Sequence, residues 1–276
     1  MRPFNKVAIV GIGLIGGSMA LAIKKKRLAD EVVGVSRHKK TLLLAKRRGA
    51  IDKGSQNLNI IKDADLVILA APVDTILNQA RLISKIIKPD CIVSDVGSTK
   101  QEIVAKLEKI FPYYVGSHPL AGSEKRGIIN ASPSMFKGSL CILTPTKYTK
   151  VKTLEKIKRF WNEIGAKVFF LPPHAHDKVL SYLSHLPHIV AFSLIGSIPK
   201  RYLRFAPSSL KDTTRIALSD SELWSDIFLS NQKNMLGSIE LFHKNLSNIK
   251  FAIQKKDRKL LSAILKKAKA KRETLG

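Results

Sequence analysis

Short apolar runs alternate with helical periodicity through the first 172 residues of the chain. Runs of four or five mostly apolar residues are typical of strands that are buried on both faces. Their alternation with helical segments predicts a mostly parallel, doubly wound sheet, which binds ligands beyond the carboxyl ends of its strands. The predicted strands are Val7–Val10, Glu31–Val35, Leu66–Ala70, Cys91–Asp95, Tyr113–Ser117, Leu140–Leu143 and Val168–Leu171.

The pattern changes at Pro172 and Pro173, after which the strand alternation stops. A long helix is predicted over His174–Ile198, with a kink near Pro187, because proline interrupts helical hydrogen bonding. A later helix carries apolar residues at alternating steps of four and three, which fits either the core of an intrachain bundle or a dimer seam. The seam residues are Met235, Ile239, Phe242, Leu246, Ile249 and Ile253.

Three glycines follow the first predicted strand at an informative spacing. Gly11, Gly13 and Gly16 form a G-x-G-x-x-G motif that opens a predicted helix. The first glycine allows a tight turn, the second lets the backbone approach a pyrophosphate, and the third lets helix and strand pack closely. The amide groups of Leu14 and Ile15 at the helix start, together with the positive end of the helix dipole, are then expected to bind the phosphates.

The same stretch has a competing interpretation. Residues 7–23 are almost uncharged and lie between basic residues, as in a signal peptide or a short membrane span. Four glycines within residues 11–17 and the absence of a plausible cleavage site favour the dinucleotide site. We therefore predict an α/β fold, with a Rossmann-like doubly wound sheet over residues 1–172 and an all-helical domain over residues 173–276.

The end of the second predicted strand bears on which dinucleotide binds. NAD sites usually place Asp or Glu about 20 residues past the glycines, where the carboxylate binds the ribose 2′-hydroxyl. Ser36 lies 20 residues after Gly16 and is not acidic, and Arg37 beside it suits a 2′-phosphate. The pair favours NADP. Alternatively, Arg37 stacks on the adenine and Ser36 bonds the ribose, which leaves NAD acceptable.

Composition narrows the class of protein. The formal net charge of +27 suggests nucleic-acid binding, but the basic clusters are dispersed and the aromatic residues lie in apolar runs. We therefore expect solvated basic faces and no nucleic-acid partner. No second apolar run of 18 residues is evident, so we expect no membrane span. Two cysteines provide neither a disulfide framework nor a metal site, which predicts a reducing cytoplasm.

Four further segments carry polar residues that packing does not require. They are Asp95–Lys100, Gly116–Gly127, Ser184–His188 and Lys211–Ile216. Together with the glycine motif they resemble the prephenate dehydrogenase family, including its arogenate-using relatives, over nearly the whole chain. The resemblance implies oxidative decarboxylation of prephenate to 4-hydroxyphenylpyruvate, on the path to tyrosine, with hydride transfer to NAD(P)⁺. It also implies that the all-helical second domain is a dimerisation domain, and hence a homodimer.

The residues suit that chemistry. A hydride leaves the carbon that bears the ring hydroxyl, and the hydroxyl loses its proton to an acceptor. His118 is the natural acceptor, because a neutral imidazole titrates near working pH. Ser98 is expected to share a hydrogen bond with the same hydroxyl. Loss of carbon dioxide then aromatises the ring, so no metal is expected. A purely structural alternative is that His118 caps a strand end.

Prephenate carries two carboxylates and therefore needs cationic or polar contacts. Arg215 is expected to bind one carboxylate bidentately, with Asp212 orienting it. His188 is expected to be a second polar contact. His185, one helical turn before it, is expected to support His188, although a satisfied core histidine fits equally well.

Ser123 and Glu124 in the second segment are also assigned to substrate binding. Glu124 with His188 matches the prephenate-type pattern, which favours prephenate over arogenate. His176 is interpreted as linker surface. Two other functions stay open: a different NAD(P)-dependent dehydrogenase with an added helical domain, and a nucleotide-sensing or nucleic-acid-binding module suggested by the charge.

Overall fold

The computed structural model describes residues 2–123 and 125–275, and the chain up to Phe170 builds one sheet. Over the described residues the sheet has eight strands: β1 (Phe4–Val10), β2 (Ala29–Val35), β3 (Lys53–Ser55), β4 (Leu66–Leu69), β5 (Ile92–Asp95), β6 (Tyr114–Pro119), β7 (Leu140–Thr144) and β8 (Lys167–Phe170). Their order in the sheet is β3-β2-β1-β4-β5-β6-β7-β8. Neighbouring strands are parallel except β6 and β7, which are antiparallel.

The predicted doubly wound, mostly parallel sheet is confirmed, and each of the seven predicted strands is present within a few residues. The prediction missed β3, whose sequence Lys-Gly-Ser contains no apolar side chain. This strand lies at the sheet edge, where parallel pairing with β2 supplies its hydrogen bonds without burial. The reversed direction of β7 was likewise not predicted, because a strand pattern carries no information on direction.

Helices cover both faces of the sheet because successive strand side chains alternate between the two faces. These helices are α1 (Leu14–Lys26), α2 (Lys39–Arg47), α3 (Val73–Ser84), α4 (Gln101–Leu107) and α5 (Val151–Glu163). One face buries Val7 and Ile9 of β1 under α1, α2 and α5, and the other buries Ala8 and Val10 under α3 and α4.

After β8 the described chain is helical. The helices are α6 (Pro173–Leu180), α7 (Leu186–Ser197), α8 (Ser208–Thr214), α9 (Ser221–Ser230), α10 (Gln232–Gln254) and α11 (Arg258–Glu273). A π-helical turn, Ser181–His185, joins α6 to α7. The irregularity expected near Pro187 is thus a π-helical turn that ends two residues before it. Proline has no backbone N–H to donate, so a regular helical hydrogen-bond pattern cannot continue through this position. Because β8 ends at Phe170 and α6 begins at Pro173, we propose the domain boundary at residues 172 and 173.

The preferred interpretation of residues 7–23 is confirmed, whereas the expected absence of a second long apolar run is wrong. Residues 7–23 form β1, the glycine turn and most of α1, so they are not a membrane span or a signal peptide. The helix Pro173–Ser197, in contrast, is long and apolar enough to cross a membrane, the one such helix among the described residues. It nevertheless carries buried polar side chains, including His176 and Asp177, which lie beside α4.

The apolar seam of α10 is buried only at its start. Met235 is 3 % exposed, whereas Leu246 and Ile253 are 52 % and 59 % exposed. An intrachain core therefore accounts for the first turns of α10 alone, and the rest of the seam is an apolar surface of the single chain.

Candidate active site

The glycine loop lies at the carboxyl end of β1, between β2 and β4. Gly11 has a φ of +104°, and a Cβ there would lie 2.4 Å from the carbonyl oxygen of Ala70. A Cβ on Gly16 would lie 2.0 Å from the carbonyl oxygen of Gly11. A Cβ on Gly13, in contrast, would meet no atom within 4 Å. The loop is therefore tightly packed on its strand side and open at Gly13, which is the shape that a bound pyrophosphate requires.

The helix after this loop has the polarity of an anion site. α1 begins at Leu14, directly after Gly13, and its first turn contains no acidic side chain. The amide groups of Leu14 and Ile15 lie in that first turn, where N–H groups have no acceptor within the helix. The loop and the helix start thus fit the diphosphate of a dinucleotide, although the contacts of the individual residues stay predictions.

The segment after β2 would face the ribose of such a dinucleotide. The Ser36 hydroxyl accepts a hydrogen bond from the His38 amide (3.2 Å), and Gln56 donates to the Arg37 carbonyl (2.7 Å). The Arg37 side chain is exposed, and residues 36–40 contain no acidic residue. This position therefore presents a hydroxyl and a cation where NAD-type sites usually present a carboxylate.

His118 lies beyond the carboxyl end of the neighbouring strand. β6 runs past β5, because Asp95 at the end of β5 pairs with Gly116, two residues before His118. The Nδ1 atom of His118 is 2.8 Å from Nε2 of His176. The other ring nitrogen of His118, Nε2, forms no hydrogen bond with any of the described residues. Burial and the nearby His176 and Lys100 hold the pKa of His118 well below its ordinary value. The ring is therefore neutral at physiological pH and able to accept a proton.

His176 is not linker surface, as the sequence suggested, but fully buried. Its Nδ1 atom is 2.7 Å from Oδ1 of Asp177. The Asp177 carboxylate also accepts hydrogen bonds from the amides of Lys100 (2.7 Å) and Gln101 (2.9 Å) at the start of α4. His176 is buried because α6 packs against α4 and β7, so this chain of contacts joins the helical domain to the end of the sheet.

A buried ion pair holds the loop that carries Ser98. The side chains of Lys100 and Asp95 are fully buried and paired, and Asp95 also accepts a hydrogen bond from the Tyr114 hydroxyl (2.7 Å). Burial and the Asp95 charge raise the pKa of Tyr114, which therefore stays a donor. Because β5 and β6 are neighbours, the half-buried Ser98 follows beside the strand that carries His118. Its hydrogen bond to substrate stays a prediction.

The π-helical turn and α7 carry the other two predicted histidines. His188 stacks on Trp224 with ring centroids 3.4 Å apart, and its Nδ1–H donates to the Ser184 carbonyl (2.9 Å). His185 is 1 % exposed, lies 3.2 Å from the Asn231 amide nitrogen and meets Trp224 edge-on. Burial lowers the pKa of His185 to about 4 and also lowers that of His188. His185 is thus buried beside the same tryptophan that His188 stacks on, which is the position expected of a side chain that supports His188.

Three of the four remaining predicted contacts lie on the surface of the described chain. Arg215 begins a 3₁₀ turn, Arg215–Leu218, that packs against α7, while Asp212 is exposed on α8 one turn earlier. Ser123 is exposed, and its hydroxyl accepts a hydrogen bond from the Lys125 amide (3.2 Å). Glu124 lies outside the described residues. The roles of these four side chains in substrate binding stay predictions.

The loop between β6 and β7 is anchored to the sheet domain by one arginine. The Arg48 guanidinium donates to the carbonyl of Ile128, to that of Ile129 (2.6 Å) and to that of Ala131 (2.9 Å). The part of the loop that follows Ser123 is thereby held against the end of α2 in the sheet domain.

Sequence reasoning missed three buried polar residues of the site. Lys100 had a signal, since a lysine that follows a strand-end aspartate by five residues can return to pair with it. His176 and Asp177 had none, because their place directly after two prolines is typical of an exposed connection. Their burial depends on how α6 packs against the sheet domain.

A glycine loop and the neutral imidazole of His118 lie at the carboxyl ends of the parallel strands, and the helical domain adds buried histidines beside them. This combination defines a dinucleotide-dependent dehydrogenase with a helical second domain. Residues 19–170 match the family model for the prephenate dehydrogenase nucleotide-binding domain, and residues 172–267 match that for the prephenate dehydrogenase dimerization domain. The chain belongs to the prephenate dehydrogenase family.

Individual relatives agree with the family models. The prephenate dehydrogenase of Bacillus subtilis is 33% identical over 98% of this chain and 76% of its own length. The crystal structure of prephenate dehydrogenase from Aquifex aeolicus, in complex with hydroxyphenyl propionate and NAD⁺, has a TM-score of 0.93 at 36% identity and covers 99% of this chain and 98% of that one. The arogenate dehydrogenase of Synechocystis has a TM-score of 0.84 at 29% identity and covers 98% of this chain and 100% of that one.

Proposed function

We propose that this protein catalyses the oxidative decarboxylation of prephenate to 4-hydroxyphenylpyruvate, with hydride transfer to a nicotinamide dinucleotide. One observation carries the proposal beyond family membership. His118 is neutral, its Nε2 has no bonding partner among the described residues, and it lies at the same edge of the sheet as the glycine loop. That is where a proton acceptor for the substrate hydroxyl is needed.

The proposed reaction neither releases nor takes up a net proton. When bound, the nicotinamide ring accepts the hydride from the carbon that bears the hydroxyl. His118 takes the hydroxyl proton on Nε2, so that the O–H bond breaks and a carbonyl forms. The bond from the ring to its carboxylate then breaks, carbon dioxide leaves, and the electron pair aromatises the ring. The phenolate oxygen takes the same proton back from His118, which acts first as base and then as acid. Ser98 is proposed to hold that oxygen throughout.

The substrate carboxylates are assigned to the helical domain and the adjoining loop. The guanidinium of Arg215 suits one carboxylate because it presents two parallel donors. His188, held flat by Trp224, is the proposed second contact, with His185 behind it. Asp212 is proposed to orient Arg215, and Ser123 and Glu124 complete the substrate side.

For the cofactor we propose NADP rather than NAD. The support is local: Ser36 brings no charge that would repel a 2′-phosphate, and the exposed Arg37 offers a planar fork that suits one. The Aquifex aeolicus relative is described with NAD⁺. Catalytic efficiency measured with both cofactors decides between the two dinucleotides.

Arogenate is the second candidate substrate, and one contact favours it. Because Nδ1–H of His188 donates to the Ser184 carbonyl, the neutral ring presents Nε2 as an acceptor. An acceptor suits the ammonium group of arogenate directly, whereas a carboxylate requires the protonated ring. Parallel assays with prephenate and arogenate separate the two.

We further propose a homodimer in the cytoplasm, without a nucleic-acid partner. The dimer is supported by the match to a dimerization-domain model and by the exposed apolar residues along α10, among them Leu246 and Ile253. A reducing compartment fits Cys91 and Cys141, which are both buried and unpaired. Sedimentation tests the dimer, and a gel shift at physiological salt tests for nucleic-acid binding.

The test of the proposal is substitution of the proposed proton acceptor. His118→Asn removes the acceptor, and positioned acid–base groups contribute about 10²–10⁴-fold, so we expect kcat with prephenate to fall by that order. Cofactor affinity should stay near that of the unaltered enzyme. His174→Asn, at an exposed histidine on α6, is the matched control and should change neither quantity. Turnover within twofold of the unaltered enzyme would contradict the role of His118.

A further inference from the structure

The two buried residues that the proposed chemistry does not use, His176 and Asp177, bear directly on the ring that it does use. His118, His176 and Asp177 form one line of contacts, with 2.8 Å between the two imidazoles and 2.7 Å from His176 to the carboxylate. His176 and Asp177 are 0 % and 1 % exposed, so bulk water cannot replace any contact in this line.

The carboxylate sets the direction of every hydrogen bond in the line. An ionised carboxylate only accepts, and Asp177 is already held by the amide donors of Lys100 and Gln101. Nδ1 of His176 must therefore carry a hydrogen and donate it to Asp177. In a neutral ring the other nitrogen, Nε2, is then an acceptor, so Nδ1 of His118 must be the donor across the 2.8 Å contact.

We propose that His176 and Asp177 are positioning residues that hold His118 as its Nδ1–H tautomer, with the lone pair of Nε2 directed to the substrate hydroxyl. The other tautomer would place a hydrogen on Nε2, where no proton can then be accepted. This inference rests on the proposed function, in which His118 is the base.

The same line accommodates the charge that forms during the reaction. When the hydroxyl O–H bond breaks and the Nε2–H bond forms, His118 becomes an imidazolium whose Nδ1–H still meets an acceptor backed by a carboxylate. The Lys100 ammonium also faces this region, but its charge is offset by Asp95, to which it is paired. His185 is neutral at working pH, because burial lowers its pKa to about 4. Asp177 therefore supplies the negative charge that favours protonated His118.

The arrangement implies that the base is oriented only when the two domains are assembled. His118 belongs to the sheet, whereas His176 and Asp177 belong to the first helix of the helical domain. Asn231 at the start of α10 donates to the Asp177 carbonyl (2.8 Å) and lies 3.2 Å from Nδ1 of His185. Docking of the helical domain thus orients the base and supports the proposed substrate histidines through one asparagine.

The kinetic test compares two substitutions at one position. In His176→Gln the amide oxygen can still accept from His118 and the amide nitrogen can still donate to Asp177, whereas His176→Leu can do neither. We expect His176→Leu to lower kcat with prephenate by about 10² or more, and His176→Gln to recover most of that loss. The KM values for prephenate and for the cofactor should change by less than about threefold, since the proposal places neither ligand on His176. His174→Leu is the matched control on the same helix, and it should leave kcat unchanged.

A spectroscopic measurement tests the tautomer directly in the unaltered enzyme. In enzyme labelled with ¹⁵N-histidine, the shifts of the two ring nitrogens distinguish Nδ1–H from Nε2–H, and the His118 signals are assigned by their loss in His118→Asn. We expect Nδ1–H in the unaltered enzyme and a mixture of tautomers in His176→Leu. An Nε2–H ring in the unaltered enzyme would overturn the proposal, as would kcat within threefold for a folded His176→Leu.

The two proposals fail in different ways. An active His118→Asn overturns the role of His118 and this inference with it. An inactive His118→Asn together with a fully active His176→Leu overturns this inference alone.

Discussion

Alanine at Gly13 and alanine at Gly16 are nearly identical changes in one motif, yet the structure predicts opposite consequences. A Cβ on Gly16 would lie 2.0 Å from the carbonyl oxygen of Gly11, which is backbone and cannot rotate away. A Cβ on Gly13 would have no atom within 4 Å, and its φ of −88° lies outside the left-handed region that favours glycine. We therefore expect Gly16→Ala to damage the fold and Gly13→Ala to damage only cofactor binding.

The magnitudes follow from these contacts. Relieving a 2.0 Å approach requires α1 to move away from the end of β1 by more than 1 Å, and such overpacking costs about 1–3 kcal/mol. At roughly 2–4 °C per kcal/mol, Gly16→Ala should lower Tm by about 2–12 °C. Gly13→Ala should change stability by less than about 0.5 kcal/mol. It should, however, displace a bound pyrophosphate and lose at least one charge-assisted hydrogen bond, about 1.5–3 kcal/mol or 10- to 150-fold in Kd.

The assay has two parts, and both use enzyme without cofactor as the starting point. Thermal unfolding followed by circular dichroism gives Tm for the two variants and for the unaltered protein. Titration of each folded protein with NAD⁺ and NADP⁺, followed by calorimetry, gives Kd. Equal losses of Tm in the two variants would refute the steric reasoning. An unchanged Kd in Gly13→Ala would show that the open space at Gly13 is not the pyrophosphate site.

Three further outcomes are expected. Arg215→Ala should raise KM for prephenate by about 10- to 150-fold and spare KM for the cofactor, because it removes a charge-assisted carboxylate contact; a selective rise for the cofactor instead would reverse the placement of this residue. The double variant Ser36→Asp, Arg37→Ala should shift the ratio of catalytic efficiencies from NADP towards NAD, since the new carboxylate accepts the ribose hydroxyl and repels the phosphate; an unchanged ratio contradicts this. Because burial lowers the pKa of His188, the free enzyme must take up a proton there to bind a carboxylate, so KM for prephenate should rise as the pH increases above that lowered pKa. That rise should be absent with arogenate and lost in His188→Asn, and equal pH dependence for both substrates would count against the contact.

The local chemistry of the cofactor domain is determined by the sequence itself. The strand before the glycine motif and the helix after it are set by residues close together in the chain, so Gly11, Gly13 and Gly16 could be assigned to separate tasks without a structure. His118 could be placed at a strand end for the same reason. Strand spacing likewise predicted a mostly parallel sheet, although a three-residue edge strand without apolar side chains, β3, left no pattern to detect.

Tertiary structure alone decided which side chains surround the base. His118 and His176 are 58 residues apart, and their contact depends on how α6 packs against α4 and β7. A periodic apolar pattern states that a helix has a buried side but not what covers it, so the sequence could not tell that most of the α10 seam is exposed in the single chain. His176 looked like surface for a different reason, its place directly after two prolines. Polar contacts between domains, such as that between His118 and His176, produce no pattern in the neighbouring sequence, because the two residues are distant in the chain and meet only in the folded protein.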